Sequence, residues 1–578
     1  MKKCIIFFSF FLILLSPQLY SYIKLPDVIV VGSKTGGGPT RDVSVYDSSD
    51  IMLQSPYTVD SLVESISPVY VKNRGPAGVQ QDISILGSSY EQTLFLLDGM
   101  PINDPQTGHF NMNIPVSPLG IRRMEMLAGH GSVSHGSGAI GGVINIVPGR
   151  EEFDNKLMLY AGSYSTIGSE LVSSRKYGKL ENMMSVSLRR TDDYHPQTDS
   201  AVVNIFNASR YGRLKFNAAY MNKEFGAFDF YTPGWNMPSR EWNEVFLISS
   251  SYEEELSNTV IIPRVMWRRH IDRYVLKADD PAFYENNHIN DIVTAQINVK
   301  LKNIICGSEL RNEYLDSSSM GDHSRQIVSV FSELTYNLHE DVLLSAGARY
   351  EDIVVPRISF AWWAAEDIKL RTAWGKSYRR PTFTELYYSS PANQGNKDLE
   401  SETSDNYEIG SDISISKKIE LKLTYFNRIL RDMIDWAGDT PAGPWKADNI
   451  GKQNINSVNS SIGYKIADNI KKTIGYSYTD IKKEKKYYSK YALKYLRHRI
   501  NFLSEISINK SISLITSGEW GVPTQRNKES FGIVNLMLKK NIERIQVFIK
   551  FENIGNSNYS DISGVPEPGR WFTAGIIW

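Results

Sequence analysis

The segment RIQVFIKFENIG, residues 544–555, alternates apolar and polar side chains. Successive side chains of a strand point to opposite faces. Ile545, Val547, Ile549 and Phe551 therefore share one side, while Arg544, Gln546, Lys550 and Glu552 share the other. One side suits lipid and the other a wet lumen. The last segment, GRWFTAGIIW (569–578), repeats the pattern with Phe572, Ala574, Ile576 and Trp578 on one side and an aromatic residue at the chain end, where an interface girdle is expected. Much of the chain beyond residue 150 falls into similar short segments separated by Asn, Asp, Gly, Lys or Ser, and aromatic residues reach 11%. This texture predicts an all-β transmembrane barrel. A soluble β-sandwich or propeller would alternate too, but no fixed-period repeat of the kind a propeller needs is present.

The first residues fit export. In MKKCIIFFSFFLILLSPQLYSY, Lys2 and Lys3 precede the apolar run Ile5 to Leu15, followed by Pro17 and the small Ser21. This reads as a secretory signal peptide over residues 1–21, because the run is well short of the ~20 apolar residues that span a bilayer as a helix. Its removal takes Cys4 and leaves Cys306, so no internal disulfide is expected. No later apolar stretch is long enough for a membrane helix. Lys and Arg total 64 against 64 Asp and Glu, which removes any general electrostatic case for nucleic-acid binding.

Residues before 150 differ in texture and predict a small α/β unit. In SPYTVDSLVESISPVYV (55–71), Thr58 is placed to cap a short helix through Leu62, Val63 and Ile66, which Pro68 ends. The glycine-rich stretch GHGSVSHGSGAIGGVINIV (129–147) contains a GxGxxG pattern. A dinucleotide site needs a strand before the glycines and a helix after them. Here Gly141 and Gly142 lead into the β-branched run Val143 to Val147, so the glycines are read as structural, serving tight turns and close backbone approach.

The same stretch resembles the end of the plug domain of TonB-dependent outer-membrane receptors. TLFLLDGMPIND (93–104) and LGIRRMEMLAG (119–129) resemble further plug segments of that family. WGKSYRRPTFTELYY (374–388), GNKDLESETSDNYEIG (395–410) and the closing region from FENIGNSNYSD (551–561) to the end resemble barrel segments. The resemblance implies a barrel of 22 antiparallel strands with an N-terminal α/β plug in its lumen, in the outer membrane of a Gram-negative-type bacterium. The implied organisation is a signal peptide (1–21), a periplasmic segment (22–34), a plug (35–150) and a barrel (151–578). In the periplasmic segment, Asp27, Val28, Ile29, Val30 and Val31 resemble the TonB box, an extended grip that a TonB-type inner-membrane protein takes by β-augmentation. Strand propensity alone would equally make these residues the plug's first strand.

One departure stands out. Where family plugs carry arginine in two short motifs, this chain has Ile85-Leu86-Gly87 and Ala128-Gly129-His130. The family's ionic lock between plug arginines and barrel glutamates is therefore expected to be absent. Arg122 and Arg123 project to opposite faces, so at most one compensates.

By resemblance, the plug's outward loops form the floor of a ligand site. They contribute Ser88, Ser89, Tyr90 and Gln92, and then Asp104, Gln106, Thr107, His109 and Asn111. Without the resemblance they read as ordinary polar turns. Glu224 to Trp242 is rich in Gly, Pro and aromatics and reads as an extracellular loop offering Phe230, Tyr231, Trp235 and Trp242. His109, His130 and His135 lack partners at zinc-ligand spacing. No cofactor is expected. Calcium is the one metal suggested, by Asp192, Asp193 and Asp199 and by the calcium-binding loops of cobalamin receptors in this family.

The resemblance implies active import of a large scarce solute across the outer membrane. A corrinoid such as cobalamin is the first expectation, from the compact barrel and the plug loops, and a ferric siderophore the second. A passive porin or an adhesin is the rival of another class, but lacks an independent plug and coupling segment. Enzymatic function finds no support, since neither GxSxG nor HExxH occurs.

Overall fold

The computed structural model describes residues 40–578 apart from 77, 151, 441, 468, 485–486, 492–493, 526–527 and 562–564. The signal peptide and the stretch Asp27 to Val31 lie outside the described residues.

From Asn155 onward, antiparallel strands follow one another in sequence order, and the last, Trp571–Ile577, pairs with the first barrel strand, Asn155–Gly162. The sheet thereby closes on itself as a 22-stranded barrel, which leaves no free edge. The strand Glu285–Leu301 shows the logic of its two faces. Asn290, Thr294, Gln296 and Asn298 are buried, while Val293 and Ile297 are each 43% exposed. A water-soluble protein would invert this arrangement; here the apolar side faces lipid and the polar side faces the lumen. In the closing segment, Ile545, Ile549 and Phe551 lie exposed on the outside, and Lys550 points inward. Trp578 sits exposed at the chain end.

The barrel's two ends differ. Turns at one end are as short as Gly178-Lys179, Gly212-Arg213 and Glu543-Arg544, whereas connections at the other include 380–401, 432–452 and 553–570. Outer-membrane barrels keep their turns periplasmic and their long loops outside, which sets the orientation used below.

The plug fills the lumen. Its five-stranded sheet comprises β1 (Val43–Asp47), β4 (Thr93–Leu97), β5 (Met100–Pro101), β6 (Ile121–Ala128) and β7 (Gly142–Pro148), in the order β1-β6-β7-β4-β5. A separate hairpin pairs β2 (Val69–Asn73) with β3 (Gln81–Ile85). Two short helices, α1 (Ser48–Leu53) and α2 (Val59–Glu64), lie between β1 and β2. Thr58 is the N-cap residue of α2, as expected, although its side chain makes no capping bond. Leu62 and Val63 are buried in the main apolar core with Ile66 just beyond the helix. The helix α1 has no sequence periodicity to announce it, since only Ile51 of its six residues is buried, and Asp47 initiates it by accepting from the Ser49 and Asp50 amides.

The glycine stretch has the opposite order from a nucleotide loop. A short helix, α3 (Ser132–His135), precedes Gly136 and Gly138, both with φ near +90°, and β7 follows. At Gly142 a β-carbon would stand 2.6 Å from the Leu127 carbonyl oxygen and 2.7 Å from Ile85 Cδ1. Gly142→Ala is therefore expected to cost about 1–3 kcal/mol through overpacking, read as faster proteolysis of the plug within an intact barrel.

Candidate functional site

Buried polar contacts tie the plug to the barrel, and they correct the expectation that the ionic lock is absent. Arg41, just before β1, places Nε 2.9 Å from Glu408 Oε2, and both side chains are buried. Glu408 Oε1 accepts from the Asp42 amide at 3.0 Å and from Arg371 at 3.1 Å. Arg371 also pairs with Asp412 at 2.9 Å. The lock exists, but its plug arginine comes from the start of the domain rather than from the two familiar motifs. Neither of the residues weighed as substitutes serves this purpose: Arg123 pairs with Glu125 on its own strand at 2.7 Å, and Arg122 makes no ion pair with Glu408.

Nearer the outer end, the carboxylate of Asp104 meets Arg268 at 3.0 Å and His270 at 2.8 Å. Burial opposes ionisation of Asp104, but the charge and hydrogen bonds of these two partners outweigh it and hold the carboxyl down at about 2. Gln92 donates to Glu402 at 2.7 Å, and Asn113 to Asn243 at 2.9 Å. Above them, the barrel segment RRPTFTELYY folds into a helix, α4 (Phe383–Tyr387), started by a Thr382–Glu385 capping box. The Phe383 and Thr384 amides donate to the carbonyls of Pro105 and Gln106, so an extracellular loop rests directly on the plug. Arg379 secures that loop by pairing with Glu385 at 2.8 Å and Glu402 at 2.7 Å.

The mouth of the lumen is aromatic and charged. His109 Nδ1 lies 2.6 Å from Asp82, and its ring stacks on Tyr90 with centroids 4.3 Å apart. Tyr491, from the loop between strands Ile470–Lys483 and Leu496–Ser507, stands edge-on to both rings at 5.5 and 5.8 Å. Tyr231 lies 6.2 Å from His109 and accepts from Gln80 at 2.9 Å. Arg74 sits 5.5 Å from the Tyr231 ring and 3.4 Å from Asp82. Burial raises the cost of charging Asp82, yet His109 and Arg74 outweigh it and hold the carboxyl down at about 2.

A depressed carboxyl stabilises the fold above its unfolded value and loses that contribution as pH falls through the folded one. For Asp82 the window runs from its ordinary 3.8 down to about 2. Asp82→Asn is expected to lower thermal stability at pH 7, and the gap to the native chain is expected to close below pH ~4, as followed by melting curves across that range.

The residues expected at the site divide by position. Tyr90, His109 and Tyr231 meet at the mouth. Ser88 instead fixes its own turn by accepting from the Ile85 amide, and the Ser89 amide donates to Gln92 Oε1. Asn111 accepts from the Asp104 amide, Gln106 from Asn290, and Thr107 from the His109 amide. All five are buried. Phe230 is buried beside Val79, Phe225 and Tyr274, whereas Trp235 is 67% exposed at the loop. The loop itself is shorter than expected, because strands Leu214–Gly226 and Arg240–Tyr252 claim both its ends. Trp242 therefore lies on a strand, on the face opposite buried Glu241 and Asn243, with Arg273 4.7 Å from its ring. It faces outward and does not join the site.

Asp192, Asp193 and Asp199 do not converge on a metal site either. Asp199 receives Arg240 through both carboxylate oxygens at 2.9 Å, and Asp193 accepts from the Thr198 and Asp199 amides. Among the described residues no group of three His, Cys, Asp or Glu stands ready to hold a metal. Sequence reading missed Arg74, Asp82 and Tyr491. For Tyr491 a signal was present, since the thirteen residues 482–494 hold six lysines and three tyrosines, at 487, 488 and 491.

Comparison with known proteins places this architecture. A family model described as TonB dependent receptor-like, beta-barrel, matches residues 191–554, and one described as TonB-dependent Receptor Plug Domain matches residues 39–143. Among curated proteins, the chain is 20% identical over 484 residues to the vitamin B12 transporter BtuB of Vibrio vulnificus strain YJ016, covering 77% of each chain. It is 22% identical over 454 residues to that of Vibrio cholerae strain M66-2, covering 72% of this chain and 71% of the other. Among solved structures, the ferric enterobactin receptor PfeA of Pseudomonas aeruginosa superposes with a TM-score of 0.75 at 16% identity, over 93% of this chain and 99% of that one. The siderophore receptor PirA of Acinetobacter baumannii gives 0.74 at 15%, over 93% and 98%. At such identity the superpositions speak for the fold alone.

Proposed function

The chain belongs to the family of TonB-dependent outer-membrane receptors, and on that premise we propose that it imports a large, scarce solute by active transport. The family consists of receptors and transporters rather than enzymes. The supporting observation is the way the plug is held. Arg41–Glu408 and Asp104–Arg268 join it to the barrel through buried ion pairs, and breaking one such pair by removing a partner costs about 3–5 kcal/mol. Passage requires the plug to shift, and the shift requires work. Asp27 to Val31 is the segment we assign to receive that work, as a strand added to the edge of the inner-membrane partner.

Solute binds from outside, at the mouth formed by Tyr90, His109 and Tyr231. A corrinoid is the reading supported by the named relatives. A ferric siderophore is the second, the class named for the solved receptors PfeA and PirA of the same fold. The test is uptake of labelled cyanocobalamin and of ferric siderophores by cells holding this protein as their sole receptor, with and without the coupling protein. Accumulation that needs the coupling protein supports import; entry that is indifferent to it overturns the proposal.

A further inference from the structure

A cavity of about 190 Å³ lies between the plug and the barrel wall, apart from the mouth formed by Tyr90, His109 and Tyr231. On one side are α2 and the plug turn at Gly75; on the other are mainly the barrel strands from Leu496–Ser507 to Trp571–Ile577 and the loop 553–570. Ser61, Glu64 and Ser65 of the plug stay only half-buried inside the lumen, so solvent reaches this space. It has room for several water molecules, or for one small organic molecule in their place.

Among the described residues, five carboxylates line the cavity against three cations. Three of the five are engaged. Arg499 pairs with Glu519, and Lys550 with Glu552 at 2.8 Å. Asp60 accepts from the Gly78 amide at 2.9 Å and from Gln81 at 3.1 Å. The remaining cation, Arg189, lies 5.8 Å from the Tyr57 ring. Glu64 and Glu567 keep acceptor capacity to spare. Arg499 donates to the Glu64 main-chain carbonyl at 3.0 Å, while the Glu64 carboxylate accepts no hydrogen bond from another described residue. Glu567 takes the Gly75 amide, but the residue is only 8% exposed and its Oε1 has no partner among the described residues. Lys528 reaches the same loop, yet its ammonium donates to the Asp561 carbonyl at 2.9 Å.

Loss of water deep in the lumen, then the charges of Glu519, Asp561 and Asp60, push Glu64 up to about 8 against the pull of Arg499. Burial and the charges of Asp561 and Glu64 push Glu567 up as well, against Lys528. A carboxyl surrounded in this way holds a proton unless another cation takes its place.

We propose that this cavity binds a small organic diamine, with one ammonium group at Glu64 and the other at Glu567. A metal ion is a poorer fit, because the carboxylates stand around the space and no three of the described residues converge as ligands. A diamine carries two charges a short chain apart and donates charge-assisted hydrogen bonds at each end. Tyr559 and Trp571 line the same space and offer aromatic faces to an ammonium group. Because Glu64 belongs to the plug and Glu567 to an extracellular loop, a bound diamine ties the two together. This site stands whichever solute the mouth takes.

The test is isothermal titration calorimetry on the purified full-length receptor with putrescine, n-butylamine and magnesium chloride as probes. Putrescine is expected to bind at one site, at least about tenfold more tightly than the monoamine, and to raise the melting temperature by binding the folded state. The double variant Glu64→Gln/Glu567→Gln keeps the side-chain size and removes both charges, and is expected to lose about 10- to 100-fold for putrescine. Absence of putrescine binding, equal binding of n-butylamine, displacement of putrescine by an equal concentration of magnesium, or an unaffected double variant overturns the inference. Should the double variant not fold, the comparison of the three probes on the native receptor decides alone.

Discussion

A receptor lacking residues 27–31 is expected to bind its ligand as the intact chain does and to import none of it. The residues we propose for binding sit at the mouth, where Tyr90, His109, Tyr491 and Asp82 hold one another. Import is another matter, since the ion pairs that hold the plug each cost several kcal/mol to break, and thermal motion rarely breaks several together. A partner that grips by adding a strand forms main-chain hydrogen bonds with whatever side chains the segment carries. A proline within Val28 to Val31 removes such a bond and should reproduce the deletion, whereas Val→Ile should not. Ligand binding to whole cells and time courses of uptake separate the two effects, and a deletion that leaves uptake intact refutes the assignment of residues 27–31.

Glu408→Ala is expected to give the largest loss of plug stability. The carboxylate accepts from Arg41, Arg371 and the Asp42 amide, so truncation leaves two buried guanidinium groups with fewer acceptors. Removing one partner of a buried pair costs about 3–5 kcal/mol, mostly because the other charge stays behind uncompensated. Arg371 retains Asp412; among the described residues, the remaining side-chain hydrogen bond of Arg41 is to His130 Nδ1 at 3.2 Å. Arg41 therefore bears most of the loss. The expected signs are faster hydrogen exchange in β1 and higher permeability of the barrel to small solutes. Adding Arg41→Met to Glu408→Ala should restore part of the stability, because it removes the stranded charge.

The barrel was legible because its signal repeats. Each strand such as Ile545–Glu552 carries only a weak alternation, but the pattern recurs to the chain end, where Phe572, Ile576 and Trp578 all face outward as read. The glycine turn was legible because the order of its neighbouring elements decides between nucleotide binding and close packing, and that order is local. The lock was not legible. Arg41 and Glu408 are 367 residues apart, and the arginine stands outside the motifs where resemblance directs attention.

The plug stretches around Tyr90 and His109 do fold as short turns, but the roles of their individual residues are not written in the sequence. A polar side chain such as Gln92 or Asn111 looks the same in sequence whether it faces a ligand or a barrel carboxylate, and here both are buried in protein contacts. Trp242 was misplaced because two residues decide whether it stands in a loop or on a strand, and on a strand alternation sends it to lipid.

The most direct test of the account is accumulation of labelled ligand by cells carrying this protein as their only receptor, before and after the proton gradient is collapsed. The account predicts uphill accumulation that stops on de-energisation while surface-bound ligand remains. Ligand entering to equilibrium without energy would contradict it and make the protein a passive pore.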